Sequence, residues 1–279
     1  MRYAIKTSPQ YTTWEDMLAV WREADQIELF ESAWNFDHFY PINVPDTTGP
    51  CMEAWVTLTA LAQATTRIRV GCMVNGVVYR HPAVLANMAA TLDIVSNGRL
   101  ELGLGAGWNE EECDAYGIEL GSLTERFDRF DEALEVIVGM LSNETTSFVG
   151  EHFRLNEARN NPPPVQRPHP PICIGGQGER RTLPAVARWA QHWNYPGMDI
   201  EGFTEKREVL HQRCSEVGRD PAEIICSQHY VVGADAEPGS VVSDLVERAD
   251  AGLDLVILYL PPPHRPQTVI DLAEAINSA

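Results

Sequence analysis

The segment Arg99-Leu100-Glu101-Leu102-Gly103-Leu104-Gly105-Ala106-Gly107-Trp108-Asn109-Glu110-Glu111-Glu112 passes from a strand through a turn into an acidic helix start. Leu100, Leu102 and Leu104 alternate with Glu101 and Gly103, the period of a strand. Gly103, Gly105 and Gly107 follow at single-residue spacing and allow backbone to approach something closely, because no Cβ intervenes. Apolar strands ending in such turns are where α/β enzymes place ligands. Taken alone, the stretch suits a ligand-free strand-to-helix turn equally well.

The flanking chain supplies the context. Upstream, Arg2–Lys6 reads as a first strand. Thr12 and Thr13 can cap a helix over Trp14–Gln26, with Trp14, Met17, Leu18 and Trp21 at helical spacing. Ser32–Asn35 is a short second strand, followed by a proline-bearing loop, a helix over Met52–Gln63 and a third strand over Ile68–Val74. Pro82–Val95 forms a helix with proline at its start and Gly98 past its end. Leu100–Leu104 is the fourth strand, and Ser122 caps a long helix over Leu123–Leu141. Downstream come strand Pro171–Ile174, helix Arg181–Ala190, strand His192–Tyr195 and helix Phe203–Val217. Strand Ile224–Val232, helix Val241–Ala251, strand Leu255–Tyr259 and helix Thr268–Ile276 complete the chain.

Eight strands each followed by a helix imply a parallel sheet. At 279 residues they imply one closed (β/α)8 TIM barrel, a single domain over residues 1–279. An insertion between strand four and strand five breaks the rhythm. Its residues at about 142–170 carry β-like pieces at Thr145–Phe148 and Phe153–Leu155 and the run Pro162-Pro163-Pro164. A lid over the barrel mouth is the expectation for it, with a plain surface excursion as the alternative.

Composition narrows the function. The formal net charge is −19, which repels nucleic acid and anionic membranes. No apolar run is long enough for a bilayer, and the first residues lack a secretory core. The six cysteines are scattered without a Cys-x-x-Cys pair, so neither a metal site nor a disulfide framework is expected, and a cytoplasmic setting is. The partner expected is a small molecule.

Barrel enzymes draw their active residues from the C-terminal ends of strands. Those positions hold Asp37 and His38, then Met73, Val74, Asn75 and Gly76, then Tyr79-Arg80-His81, and Gly105–Asn109. Later come Gly175, Gly176, Gln177 and Gly178 with Arg180 and Arg181, then Asn194 and Tyr195. The glycine-rich turn after the fifth strand feeds a helix N-terminus beside two arginines, which suits a phosphate. A solvated arginine pair on a first turn is the alternative. Neither a phosphate-cradling Gly-x-x-x-x-Gly-Lys-Ser/Thr loop nor a His-Glu-x-x-His helix is present. His152, His169, His192, His211, His229 and His264 read as surface or packing residues. Trp14, Trp34, Trp108 and Trp193 are candidates for an apolar pocket, though tryptophan is more often core.

Asp37-His38-Phe39, Val70–Val74 with Tyr79-Arg80-His81-Pro82, the run Asn97–Glu111 and the turn Ile174-Gly175-Gly176 together resemble the luciferase-like monooxygenase superfamily. Within it they resemble the coenzyme F420-dependent oxidoreductases. The resemblance runs the length of the chain, and Tyr79–Pro82 and Arg99–Glu111 are its most specific parts. It implies a dimeric (β/α)8 barrel whose cofactor lies across the C-terminal mouth, against a non-proline cis peptide at Met73–Val74. It places Asp37, Met73, Val74, Asn75, Gly107 and Asn109 around the cofactor. Gly175, Gly176 and Gln177, with Arg180 and Arg181, would hold its phosphate. Tyr79, Arg80 and His81 would lie toward the outer cofactor region. One departure is that Trp108 stands where some sugar dehydrogenases of the superfamily carry a glutamate.

The activity implied is hydride transfer between the deazaflavin and a small organic substrate bearing C=C, C=O or an alcohol. His38 is the expected general acid or base, since imidazole titrates near neutral pH. The alternative for His38 is an orienting or packing histidine. On the same barrel, an FMN-dependent monooxygenase using reduced flavin and oxygen is the rival reading. A flavin-binding protein without turnover is the third.

Overall fold

The computed structural model describes residues 1–279. Eleven strands and nine α-helices alternate along it. The order runs β1 (Arg2–Thr7), α1 (Trp14–Gln26), β2 (Phe30–Asn35), α2 (Ala54–Ala64), β3 (Arg69–Cys72), β4 (Asn75–Gly76), α3 (Pro82–Val95) and β5 (Leu100–Gly105). Next come α4 (Glu110–Tyr116), α5 (Leu123–Ser142), β6 (Thr146–Val149), β7 (Arg154–Ala158), β8 (Ile172–Gly175), α6 (Thr182–Trp189) and β9 (His192–Tyr195). The chain ends with α7 (Ile200–Glu216), β10 (Ile225–Val231), α8 (Pro238–Asp250), β11 (Leu255–Leu260) and α9 (Pro266–Asn277).

Strand pairing closes a ring. β1 pairs in parallel with β2 and with β11, and the ladder continues through β10, β9, β8 and β5 back to β3. β4 continues the third strand against β5. The result is a closed eight-stranded parallel barrel wrapped in helices, the (β/α)8 architecture.

Two layers of packing hold it. The larger buries Trp21, Phe30, Leu58, Leu61 and Phe130 between the strands and the helices. A smaller cluster, including Ala4, Trp34, Met73, Cys173, Leu255 and Ile257, fills the barrel. Polar links fix the ends of elements. Thr13 caps α1, and Ser122 with Glu125 forms a capping box on α5, satisfying amides a helix start leaves open. The Asp25 carboxylate accepts from the amides of Thr66, Arg67 and Ile68, each at 2.8 Å, tying α1 to the entry of β3.

The third strand departs from the expected Ile68–Val74. It breaks after Cys72, and the peptide Met73–Val74 is cis. The break swings Val74 toward the glycines of β5. A Cβ on Gly103 would stand 2.0 Å from the Cys72 carbonyl oxygen, and one on Gly105 would stand 2.7 Å from Val74 Cγ2. A Cβ on Gly175 would meet Val74 Cγ1 at 3.1 Å. The close approach these glycines permit is therefore first to the chain's own bulge.

The insertion forms an antiparallel hairpin of β6 and β7. Glu132 of α5 accepts from the amides of Glu151, His152 and Phe153. Gln166 is bonded to Asp93 and to the carbonyl of Leu100, where β5 enters the barrel. The segment thus runs along the outside of α5 and α3 toward the end of the barrel opposite the mouth.

Candidate active site at the barrel mouth

The C-terminal ends of the strands surround a cavity of about 660 Å³. His38 and Asp37 reach it from the end of β2, Met73 and Val74 from the bulge. Gly107 and Trp108 come from the turn after β5, Gly175 and Gly176 from the end of β8. The outer rim is apolar: Trp108, Leu123 and Met198 are each more than half exposed and line it.

His38 is held by a residue on a different element. Its Nδ1 lies 2.6 Å from Glu112 Oε1, and the other carboxylate oxygen accepts from the Phe39 amide at 2.8 Å. The Tyr79 hydroxyl also donates to Glu112. Burial pushes the Glu112 carboxyl up, but these hydrogen bonds, His38's foremost, outweigh it and leave the group below its ordinary value. The Tyr79 phenol is driven well above its usual range by burial and by Glu112, so it stays a donor. A carboxylate on Nδ1 fixes the tautomer and leaves Nε2 for the cavity.

Asp37 is occupied differently. Arg80 grips its carboxylate with two hydrogen bonds of 2.5 and 3.0 Å and also reaches Glu53 at 2.7 Å. Burial raises the Asp37 carboxyl against that pull. The pair locks the loop after β2 to the segment before α3.

Several other expected residues stand back from the cavity. Asn75 is buried, accepting from Trp55 Nε1 and donating to the Gly103 carbonyl, both at 2.6 Å. Asn109 caps α4 by accepting from the Glu112 amide. His81 caps α3. Gln177 is exposed and lies outside the lining. Arg180 and Arg181 flank a separate groove with Glu132 and Glu135, and Arg181 is paired with Asp128 and Asp131 at 2.7 Å each. No residue of 142–170 lines the mouth. Trp34 and Trp193 are fully buried.

Sequence reasoning passed over Lys6, Glu112, Arg126, His229 and Tyr259. All but Glu112 line the cavity. Arg126 donates to the Gly107 carbonyl at 3.3 Å and forms no ion pair, whereas its Nε, though buried, has no partner. For Lys6 a signal existed: a lysine in β1 two residues after Ala4, on the same face as that buried residue. For Glu112 there was none, since Glu110, Glu111 and Glu112 read alike as helix-start acids. No cluster of three or more His, Cys, Asp or Glu stands together to hold a metal, and all six cysteines are free.

The chain is thus a closed parallel (β/α)8 barrel with a polar-floored, apolar-rimmed cavity and a carboxylate-fixed histidine at its strand ends. The chain belongs to the luciferase-like monooxygenase family, whose family model matches residues 2–241. An uncharacterized protein of Mycobacterium tuberculosis is 30% identical over 210 residues, 75% of this chain and 70% of that protein. The F420-dependent hydroxymycolic acid dehydrogenase of the same organism is 31% identical over 230 residues, 82% of this chain but 60% of that enzyme. Among solved structures, an F420-dependent secondary alcohol dehydrogenase in complex with an F420-acetone adduct superposes with a TM-score of 0.87. That match covers 99% of this chain and 98% of the other at 19% identity. No helix is long and apolar enough to cross a membrane.

Proposed function

We propose that this oxidoreductase uses coenzyme F420 and moves a hydride between the deazaflavin and a small organic substrate bearing C=C, C=O or an alcohol. The observation that carries the reading is His38, buried at the cavity wall with Nδ1 on Glu112 and Nε2 free, in the same cavity that the Met73–Val74 bulge lines. The cavity's residues fit a tricyclic ring with an anionic tail. Met73 and Val74 offer an apolar bed, and the glycines under Val74 leave that bed flat. Gly175 and Gly176 lead into α6, which starts without a side-chain cap. Its first amides suit a phosphate. Arg126, lining the same mouth without an ion pair, supplies a cation there. When bound, F420 would supply two-electron hydride chemistry, so the electrons are the cofactor's.

The chain's residues then bind, orient and move a proton. His38 Nε2 donates a proton to, or takes one from, the substrate oxygen or carbon, and Glu112 stabilises the charged imidazole. Phe36 and Trp108 pack edge-on to the His38 ring at 5.2 and 5.4 Å and limit water there. The dehydrogenase relative favours F420 over FMN; the family description keeps flavin oxygen chemistry as the competing reading.

The test is a visible-absorbance titration of the protein with F420 and, separately, with FMN. Tighter F420 binding, with F420-linked turnover abolished in His38→Ala, is the expected result. Tighter FMN binding with oxygen-dependent turnover would select the monooxygenase reading. Binding without any turnover across a substrate screen would select the binding-protein reading.

A further inference from the structure

At the floor of the mouth Lys6 is a cation without a counter-ion. It is 5% exposed and lines the cavity. Its ammonium donates to the Met73 carbonyl at 3.2 Å and lies 3.5 Å from His229 Nε2. It sits over the Tyr259 ring at 4.8 Å and the Phe36 ring at 6.0 Å. No carboxylate reaches it. Asp37, the only carboxylate among the lining residues, is already clamped by Arg80.

An ammonium has three donors and no acceptor. Two face Met73 and His229, and the third is left for the cavity. Burying a charge without a partner is costly, so buried charges are ordinarily paired. Burial holds His229 well below its ordinary value, as the neighbouring Lys6 charge also does, so that imidazole is a neutral acceptor and not a rival cation. The aromatic faces hold the ammonium in place without neutralising it. The same Phe36 ring lies 5.2 Å from the His38 ring. A ligand crossing Phe36 can therefore have one end on Lys6 and a reacting carbon near His38.

We propose that Lys6 is the anion anchor of the mouth, and that the substrate is a small carboxylic acid whose carboxylate binds Lys6 while its unsaturated, oxo or hydroxyl carbon faces His38. The assignment of the reacting carbon rests on the proposed oxidoreductase chemistry. The anchoring of an anionic oxygen rests only on Lys6 and the cavity. The ionisable ring oxygen of the cofactor is the second source of that same chemistry, and the experiment separates the two.

Crotonate and its neutral isostere crotonamide are titrated calorimetrically into wild type, Lys6→Met and Lys6→Arg, each with and without saturating F420. F420 itself is titrated into the three proteins. Wild type is expected to bind crotonate at least about tenfold tighter than crotonamide, the size of one charged hydrogen bond. Lys6→Met should lose that preference while binding crotonamide unchanged, and Lys6→Arg should retain it. If carboxylate preference is absent but Lys6→Met weakens F420 about tenfold or more, the anchored oxygen is the cofactor's. If F420 fails to bind yet crotonate preference still depends on Lys6, the anchor stands and the cofactor reading falls. An anion affinity unchanged in Lys6→Met for crotonate and F420 alike, in a protein that melts no earlier than wild type, overturns the proposal.

Discussion

His38 and Glu112 are joined at 2.6 Å across a sequence separation of 74 residues, binding the loop after β2 to the first turn of α4. The carboxylate orients the imidazole, and two further donors hold the carboxylate itself. Replacing His38 by Ala is expected to lower the rate of F420 oxidation or reduction by about 10²–10⁴-fold, the usual worth of a positioned acid or base. Glu112→Gln keeps the shape but loses the charge, and should lower the rate less than the His38 change. Glu112→Ala leaves the Phe39 amide and Tyr79 hydroxyl without a partner and should also cost stability, about 1–3 kcal/mol in denaturant unfolding. Equal rates in wild type and His38→Ala would remove the acid–base role.

The glycines of β5 give a second expectation. Gly103→Ala places a Cβ 2.0 Å from a backbone carbonyl oxygen that cannot swing away. The cost should be about 3 kcal/mol or more, at or above the upper end of ordinary overpacking. Gly239, in the first turn of α8, has open space where an added methyl group would point, with nothing within 4 Å. Gly239→Ala should be neutral or stabilising by up to about 1 kcal/mol. Urea melts of both variants test the contrast.

Lys6 makes stability depend on pH. Burial lowers it from 10.5 to about 8. Between those values the unfolded chain holds the proton and the folded chain does not, so stability from this group rises as pH climbs from 8 toward 10.5. At pH 7 the buried charge costs roughly 3 kcal/mol. Lys6→Met should therefore be more stable than wild type at pH 7, and the gap should close with rising pH.

His192 gives the opposite slope inside the same barrel, while its partner Glu101 acts in the acid range. Burial disfavours the charged imidazole, but the Cys173 sulfur and the Glu101 carboxylate raise His192 to about 10. Burial also works against the Glu101 carboxylate, yet His192 and Arg69 bring it down to about 2. The His192 contribution is complete below 6.5 and disappears as pH rises toward 10; the Glu101 contribution is complete above 4.5 and disappears toward 2. In His192→Gln, thermal melts should lose the alkaline decline between 6.5 and 10, leaving the Lys6-driven rise above pH 8 in view.

The barrel was legible because apolar periodicity and caps mark each element locally: Thr13, Ser122 and the proline at the start of α3 all stand where the sequence places helix starts. The glycine run was read correctly as a site of close approach, but the approaching group, Val74, comes from another strand and leaves no mark near Gly103. Asp37 and His38 could be found because strand ends are the productive positions of this fold. Arg181 was misleading for a physical reason: Asp128 and Asp131 of α5, distant in sequence, take its guanidinium. Glu112 and Arg126 stayed hidden because acidic and basic residues at helix starts are ordinary, and only tertiary placement turns Arg126 to the mouth and sets Glu112 behind His38. The proline-rich segment around Pro162–Pro164 gives no sign of direction, and it travels away from the opening.

Val74 sits in a socket whose walls are Gly103, Gly105 and Gly175, supplied by two neighbouring strands. The four positions therefore form one steric unit. A side chain at Gly105 or Gly175 presses on the valine and one at Gly103 on the Cys72 carbonyl beside it, and a larger residue at 74 has nowhere to settle unless a wall recedes. Reshaping this wall of the mouth, by selection or by design, requires those changes together.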